Sequence, residues 1–431
     1  MNEERLEESI ASFVTGTSFT ELEEEVVSEA RRRVMDSLAL ARASISSPPA
    51  SAFRKALPNF PGSSPLIGGG SASADASSFY NTLLIRYLDF NDTYLSLEPL
   101  HPSDMIGAIL PVASLFRKKW NDVFLAIAIG YEIGVHLCDA SSLRTKGYDH
   151  VNYLGIATAA ALSSLLSLDH ERTISAISMS IVPSVALRQS RVGKLSMWKA
   201  GAAAAATRNA VFAALAALNG FTAPDEPLTG RMGFINVVCR DFDAGKFTDL
   251  KRADSILKTF MKKYPVEYHA QSAVDLALKA RMKVSGDIRH VRVRTYEAGR
   301  AILADPEKWE PANRETADHS LPFIVSAALV TGNFWLDTYS LLDSPVIRGM
   351  MKKVEVVEEP QYTAAYPHTL PTSLEIDAEG GEVAEYMEVP EGHSSNPLTD
   401  AQLREKFLRL TSDTGLFEEL ASREGDEYVS F

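Results

Sequence analysis

Apolar positions along this chain follow one spacing through the first two-thirds and another after it. Over residues 23–40 they recur every three to four positions, the signature of a long amphipathic helix. Thr20-Glu-Leu-Glu23 fits a capping box at its start. The same spacing predicts helices over residues 74–88, 104–118, 121–141, 154–166 and 170–181. Residues 196–219 form an alanine-rich helix whose small side chains suit close packing at a central position. The Pro/Ser/Gly-rich stretch 46–70 reads as a loop. Beyond Tyr264-Pro265 and a helix over 267–284, residues 290–297 alternate strictly with period two, as a strand does. A second strand pattern covers 353–359, and Ala378-Glu-Gly-Gly381 joins two more as a hairpin. Helical segments over 311–351 intervene, and the helical pattern returns after Gly392. The expected fold is therefore mainly α with an α+β second domain. A large helical domain spans residues 1–265, completed by 393–431, and residues 266–392 form the smaller domain.

Composition narrows the function. The 431 residues are 45% hydrophobic and 23% charged, as in ordinary folded proteins. A net charge of -13 argues against nucleic acid or an anionic membrane as partner. The most apolar stretches, 123–138 and 198–218, are interrupted by Glu132 and His136 and by Lys199 and Arg208, and read as buried helices. The acidic start, Met1-Asn-Glu-Glu-Arg-Leu-Glu-Glu, lacks the basic and apolar regions of a signal peptide, so a cytoplasmic protein is expected. Two cysteines, Cys138 and Cys239, are too few for the three or four thiolates of an iron–sulfur cluster. Zinc patterns, a P-loop and GxSxG are also absent from the sequence. Cofactor-independent side-chain acid–base chemistry is the expectation.

The densest chemistry lies between Arg86 and Asp104. Arg86, Asp89 and Asp92 recur every three residues, Thr93 follows, and His101 stands before Pro102-Ser-Asp104. Pro102 keeps His101 out of the helical region and sets its imidazole at a helix start, where N–H groups attract a carboxylate. A short loop would bring Asp89 or Asp92 near His101 as an acid–base pair; equally, Asp89 can pair with Arg86 and Asp92 can cap a turn. His150, in Gly147-Tyr-Asp-His150, also precedes an apolar helix, as a cap or a ligand. Positive charge for an anionic substrate gathers at Arg188, Arg191, Lys194 and Lys199, or forms a solvated basic loop. Lys262 and Lys263 add to it, and His269 shares the helix-start setting. His136 reads as a satisfied core residue, and His170 and His290 as surface ones.

These motifs resemble the MmgE/PrpD family along nearly the whole chain. The strongest are Tyr87-Leu-Asp-Phe-Asn-Asp-Thr93 with His101-Pro-Ser-Asp104, then Gly147-Tyr-Asp-His150, Leu195-Ser-Met-Trp-Lys199 and Tyr264-Pro-Val-Glu-Tyr-His-Ala-Gln-Ser272. Val291-Arg-Val-Arg-Thr-Tyr-Glu297 and Val389-Pro-Glu-Gly-His-Ser-Ser-Asn-Pro397 complete the set. The Asn-Asp-Thr form and the wide gap before His-Pro-Ser are similar to the family's 2-methylcitrate dehydratase branch. The resemblance implies a helical domain that dimerises, a smaller α+β lid, and loss of water from 2-methylcitrate in propionate catabolism. Decarboxylation of cis-aconitate, dehydration of citrate and a catalytically silent ligand-binding homologue are the alternatives. It places Asp89, Thr93, His101 and His150 on active-site positions, with Asp89, His101 and His150 as catalytic groups. Thr93, Arg86, Arg191, Lys194, Lys199, Lys262 and His269 are the expected substrate contacts. Ser196 stands where the family often carries a lysine, so Lys194 or Lys199 would substitute for it.

Overall fold

A computed structural model describes residues 5–192, 195–247 and 250–431. Contacts divide the chain into two units, Met1–Thr259 with Asp400–Phe431, and Phe260–Thr399. The divisions fall at Thr259 and Asp400, a few residues from the Pro265 and Gly392 read from the pattern.

The first unit is helical, with its main helices α1 (Leu6–Gly16), α2 (Glu24–Ser44), α3 (Ala74–Tyr87), α4 (Ile106–Leu115) and α5 (Trp120–Ala140). They continue as α6 (Val151–Leu165), α7 (His170–Ile181) and α8 (Trp198–Leu218). The capping box lies two residues earlier than expected. Ser18-Phe-Thr-Glu21 has the same pattern, and the Ser18 N–H donates to Glu21 Oε2 at 2.7 Å. Glu23, at the N-cap of α2, makes no capping bond. The expected loop 46–70 holds a short helix, Pro48–Arg54, because Ser47 caps it and proline suits the first helical turn.

Helix α5 packs on α6, and α8 packs on α3, α6 and α7. By length and composition alone α5 and α8 could cross a membrane; 83% of the α5 window is buried but only 56% of the α8 window. So α5 is mostly a core helix. The alanine face of α8 is equally buried, from Ala203 to Ala217, while its other face leaves Trp198 and Phe212 exposed. Gly107 lets α4 approach α3, since a Cβ there would lie 2.4 Å from Thr82 Oγ1. The approach lets Thr82 Oγ1 donate to the Asp104 carbonyl at 3.1 Å and accept from Thr207 Oγ1 of α8 at 2.9 Å. Three helices are thereby pinned around the residues expected to be chemical.

The second unit is α+β. Helix α9 (Gln271–Arg281) leads to strand β1 (Ile288–Thr295), and α10 (Leu321–Thr331) precedes β2 (Val354–Glu358), β3 (Thr372–Ala378) and β4 (Gly381–Met387). The sheet order is β2-β1-β3-β4, with β1 and β2 parallel and the other pairs antiparallel. Period-two alternation sends Val291, Val293, Leu374 and Ile376 inward, where they join one core with α9 and α10. The other face is polar, with Arg292 on Glu355 and Arg294 on Glu375. The hairpin register closes at Ala378 and Gly381, and Gly381 holds φ +116°, open to glycine. After β4 the chain returns to the first unit as α11 (Asp400–Thr411), against α2, and α12 (Thr414–Ser422).

Candidate active site

The long gap between Thr93 and His101 is a closed loop. Tyr94 N–H donates to the Leu100 carbonyl at 2.8 Å, and Leu100 N–H returns the bond to Tyr94 at 3.0 Å. These two main-chain bonds, between residues six apart, bring the flanking Thr93 and His101 side by side. The loop is tied down by Glu98, whose carboxylate accepts from the Leu143 and Arg144 amides and from Ser142 Oγ. As a result Thr93 Oγ1 lies 3.2 Å from His101 Nδ1.

Asp89 follows the C-terminus of α3 with φ +51°, in the left-handed region that few side chains other than Asn and Asp enter cheaply. This turn aims its carboxylate back at two cations. Arg86 Nη1 donates to Asp89 Oδ1 at 2.7 Å, and Lys199 Nζ of α8 is 3.1 Å from Oδ2. The Arg86–Asp89 pairing that spacing allowed does form, but it is shared with Lys199. All three side chains are largely withdrawn from solvent. Lys199 therefore takes a cationic place one turn from Ser196.

His101 occupies the N-cap position of the turn Pro102–Met105 that leads into α4, without a side-chain capping bond. Its Nδ1 is 2.7 Å from the Asp92 carbonyl, a pure acceptor, so Nδ1 carries the proton and Nε2 is the basic nitrogen. His150 stands at the start of α6, its ring centroid 5.6 Å from that of His101 and nearly perpendicular to it. Its Nδ1 is 3.2 Å from Asp149 Oδ1, and its Nε2 is buried with no hydrogen-bond partner among the described residues. Burial, and then the charges of Arg191, Arg86 and Arg188, depress the proton affinity of His150, although Asp149 opposes them. Burial disfavours the Asp149 anion, but His150, Arg191 and the Ser190 hydroxyl outweigh it and hold the carboxyl below the usual range.

Asp149 is a hub that spacing did not single out. It orients His150, accepts from Ser190 Oγ, and accepts from Arg191 Nε at 3.0 Å. Arg191 therefore reaches the site through Asp149, and its Nη2 is buried without a hydrogen-bond partner among the described residues. Asp104 is buried as well; Asn91 Nδ2 donates to its Oδ1 at 3.0 Å, and its Oδ2 lies 3.7 Å from Arg86 Nε. Burial, reinforced by Asp92 and Asp89 against Arg86 and Arg191, pushes the Asp104 carboxyl up to about 7.

Asp92 is bound into the scaffold. Its carboxylate accepts from Ser103 N at 3.0 Å and Tyr131 Oη at 2.6 Å, with Arg33 Nε at 3.4 Å. Arg33 and Tyr131 come from α2 and α5, too far along the chain for any local pattern to announce them. Lys194 lies outside the described residues. Lys262 and His269 belong to the second unit, where both are buried. There His269 Nδ1 is 2.5 Å from Tyr296 Oη, and Tyr296 stacks on Tyr366 with centroids 4.9 Å apart. Lys263 pairs with Asp275 and Glu391, each at 2.8 Å. Both cysteines are buried and free, and burial raises both thiols, that of Cys239 to about 11.

In this first-unit site the His101 and His150 rings stand together, each hydrogen-bonded through Nδ1, and the charges of Arg191 and Arg86 act on His150. Residues 8–246 match the MmgE/PrpD N-terminal domain and residues 264–424 the MmgE/PrpD C-terminal domain. The chain belongs to the MmgE/PrpD family. Among its relatives, a probable 2-methylcitrate dehydratase of Saccharomyces cerevisiae is 30% identical, across 79% of this chain and 73% of the yeast protein. A mitochondrial 2-methylcitrate dehydratase of Yarrowia lipolytica is 31% identical, across 76% of this chain and 68% of its own length. The 2-methylcitrate dehydratase of Escherichia coli K12 is 30% identical, across 66% of this chain and 62% of the bacterial protein.

Proposed function

We propose that the chain eliminates water from 2-methylcitrate to give 2-methylaconitate, in propionate catabolism, by side-chain acid–base chemistry. It is an enzyme of the carbon–oxygen lyase type. The observation that carries the finer reading is the pair of imidazoles His101 and His150, with the charge of Arg86 acting on His150 and Arg86 and Lys199 both paired with Asp89. His101 Nε2 takes the proton alpha to a carboxylate. The electron pair moves onto that carboxylate and then forms the double bond as the β-hydroxyl departs. Asp89 relays a proton from Lys199 to the leaving oxygen, so water rather than hydroxide is released. Arg86 and Arg191 meet the carboxylates, where charge develops. His150 hydrogen-bonds the substrate through Nε2, an atom buried without a hydrogen-bond partner among the described residues.

The test is ultraviolet absorbance of the conjugated alkene when purified protein meets 2-methylcitrate, with citrate beside it and an excess of chelator in a parallel sample. A rise that survives the chelator is expected. No rise with 2-methylcitrate, or its loss to chelation, defeats the reading or its metal-free part respectively. Carbon dioxide released from cis-aconitate would move the chain to decarboxylation; tricarboxylate binding without turnover would make it a silent homologue.

A homodimer formed through the first unit belongs to the same proposal. Leu187, Met197, Trp198 and Phe212, in the α7–α8 connection and on α8, are all more than half exposed. Apolar surface of this kind suits burial against a second copy. Light scattering is expected to give twice the chain mass, and Leu187→Glu with Phe212→Glu to halve it. A monomeric parent would end this part.

A further inference from the structure

Behind Asp89 lies a buried ion pair that the proposed chemistry does not use. Lys406 of α11 is 4% exposed and Asp36 of α2 is 2% exposed. Lys406 Nζ lies 2.7 Å from Asp36 Oδ1, donates to the Phe90 carbonyl at 3.0 Å, and sits 3.9 Å from the Phe90 ring centroid. Phe90 is the residue after Asp89, whose backbone is held at φ +51°. Arg33, three residues before Asp36 on α2, holds Asp92 of the same segment. A buried lysine–aspartate pair is weak evidence for stability, because an apolar pair of similar size would often serve as well. What an apolar pair cannot do is donate to the Phe90 carbonyl.

We propose that Lys406 is a positioning residue for Asp89: by holding the Phe90 carbonyl it fixes the left-handed turn that aims the Asp89 carboxylate at Arg86 and Lys199. The C-terminal return of the chain thereby sets the geometry of a motif more than three hundred residues earlier. Displacement of a reacting group by an ångström can cost about a hundredfold in rate. Only the turnover arm of the test rests on the dehydratase reading.

Two double variants separate donation from charge. Lys406→Met with Asp36→Leu removes both the ion pair and the donor. Lys406→Gln with Asp36→Asn removes the charges but leaves an N–H for the carbonyl. Each is compared with the parent in melting temperature, in kcat on 2-methylcitrate, and in Kd for citrate by calorimetry. The Met/Leu pair is expected to lose about tenfold to hundredfold in kcat and to bind citrate more weakly at a comparable Tm. The Gln/Asn pair should stay within about threefold of the parent in both. The proposal is overturned if the two pairs behave alike, both parental or both impaired. Should the Met/Leu chain fail to fold, the Gln/Asn pair decides alone, with parental values supporting the proposal and a tenfold loss ending it. If the parent itself turns over nothing, the dehydratase reading falls and the citrate Kd values still decide the role of Lys406.

Discussion

Asp89→Asn is expected to lower kcat on 2-methylcitrate by about 10²–10⁴-fold, the range a positioned proton-transfer group supplies. Asparagine is the informative replacement for a conformational reason. At φ +51° most side chains are strained, but asparagine enters the left-handed region nearly as readily as aspartate. Its amide also keeps one oxygen to accept from Arg86 Nη1 or Lys199 Nζ, which lie 2.7 and 3.1 Å from the native carboxylate. What it loses is the ability to take a proton from Lys199 and pass it on. Alanine would add backbone strain and leave two buried cations without their anion, so a loss of rate there would mix folding with chemistry. Turnover is read from alkene absorbance, with circular dichroism to show that the fold is kept. Turnover within a few-fold of the parent in a folded Asp89→Asn enzyme would remove Asp89 from the mechanism. His101→Gln is the companion measurement, since glutamine retains a donor for the Asp92 carbonyl but has no basic nitrogen in place of Nε2.

The elements were legible where one period ran long, and the site where chemistry was local. Strand β1 and the β3–β4 hairpin follow from alternation and a glycine turn, and α5 to α8 from helical spacing. Misplaced features were those decided by a single side chain. Ser18 and Thr20 both begin a capping box by pattern, and only the closing bond from Glu21 separates them. Ser47 and two prolines make a helix inside a composition that reads as loop. The site divides in the same manner. Asp89, Thr93, His101 and His150 carry local signatures, and the first unit gathers them with Arg86 and Lys199. The residues that hold them, Arg33, Tyr131 and Lys406, were invisible because they act from α2, α5 and α11 on a segment distant in sequence. Asp149 was visible but undervalued; standing beside His150, it is also the anchor of Arg191 and Ser190. The resemblance to a family supplied roles, whereas only geometry shows that Arg191 reaches the site through another residue.

Asp104 gives the second large effect, in the dependence of stability on pH. Its carboxyl is buried, receives one hydrogen bond from Asn91, and is pushed up to about 7 by burial and by the neighbouring Asp92 and Asp89, while Arg86 and Arg191 oppose. In the unfolded chain an aspartate ionises near 3.9. Between these values the folded chain binds a proton that the unfolded chain does not, so stability falls as pH rises. The contribution is fully present below about pH 4 and is lost as pH climbs through about 7, a change of about 4 kcal/mol. Asp104→Asn, which cannot ionise, should remove that slope. Denaturant unfolding of parent and variant at pH 5 and pH 8 measures it: the parent should lose stability relative to the variant over this interval. Parallel curves would show that Asp104 is ionised throughout. The functional counterpart follows from charge. With Asp104 neutral, Arg86 answers to Asp89 rather than to both carboxylates and keeps more of its charge for a substrate carboxylate. Ionisation of Asp104 would cancel that advantage, so kcat/KM of the parent should fall as pH passes about 7, and the asparagine enzyme should hold its plateau further into alkali. A site that must collect a tricarboxylate on a protein of net charge -13 gains from keeping one of its own carboxylates protonated.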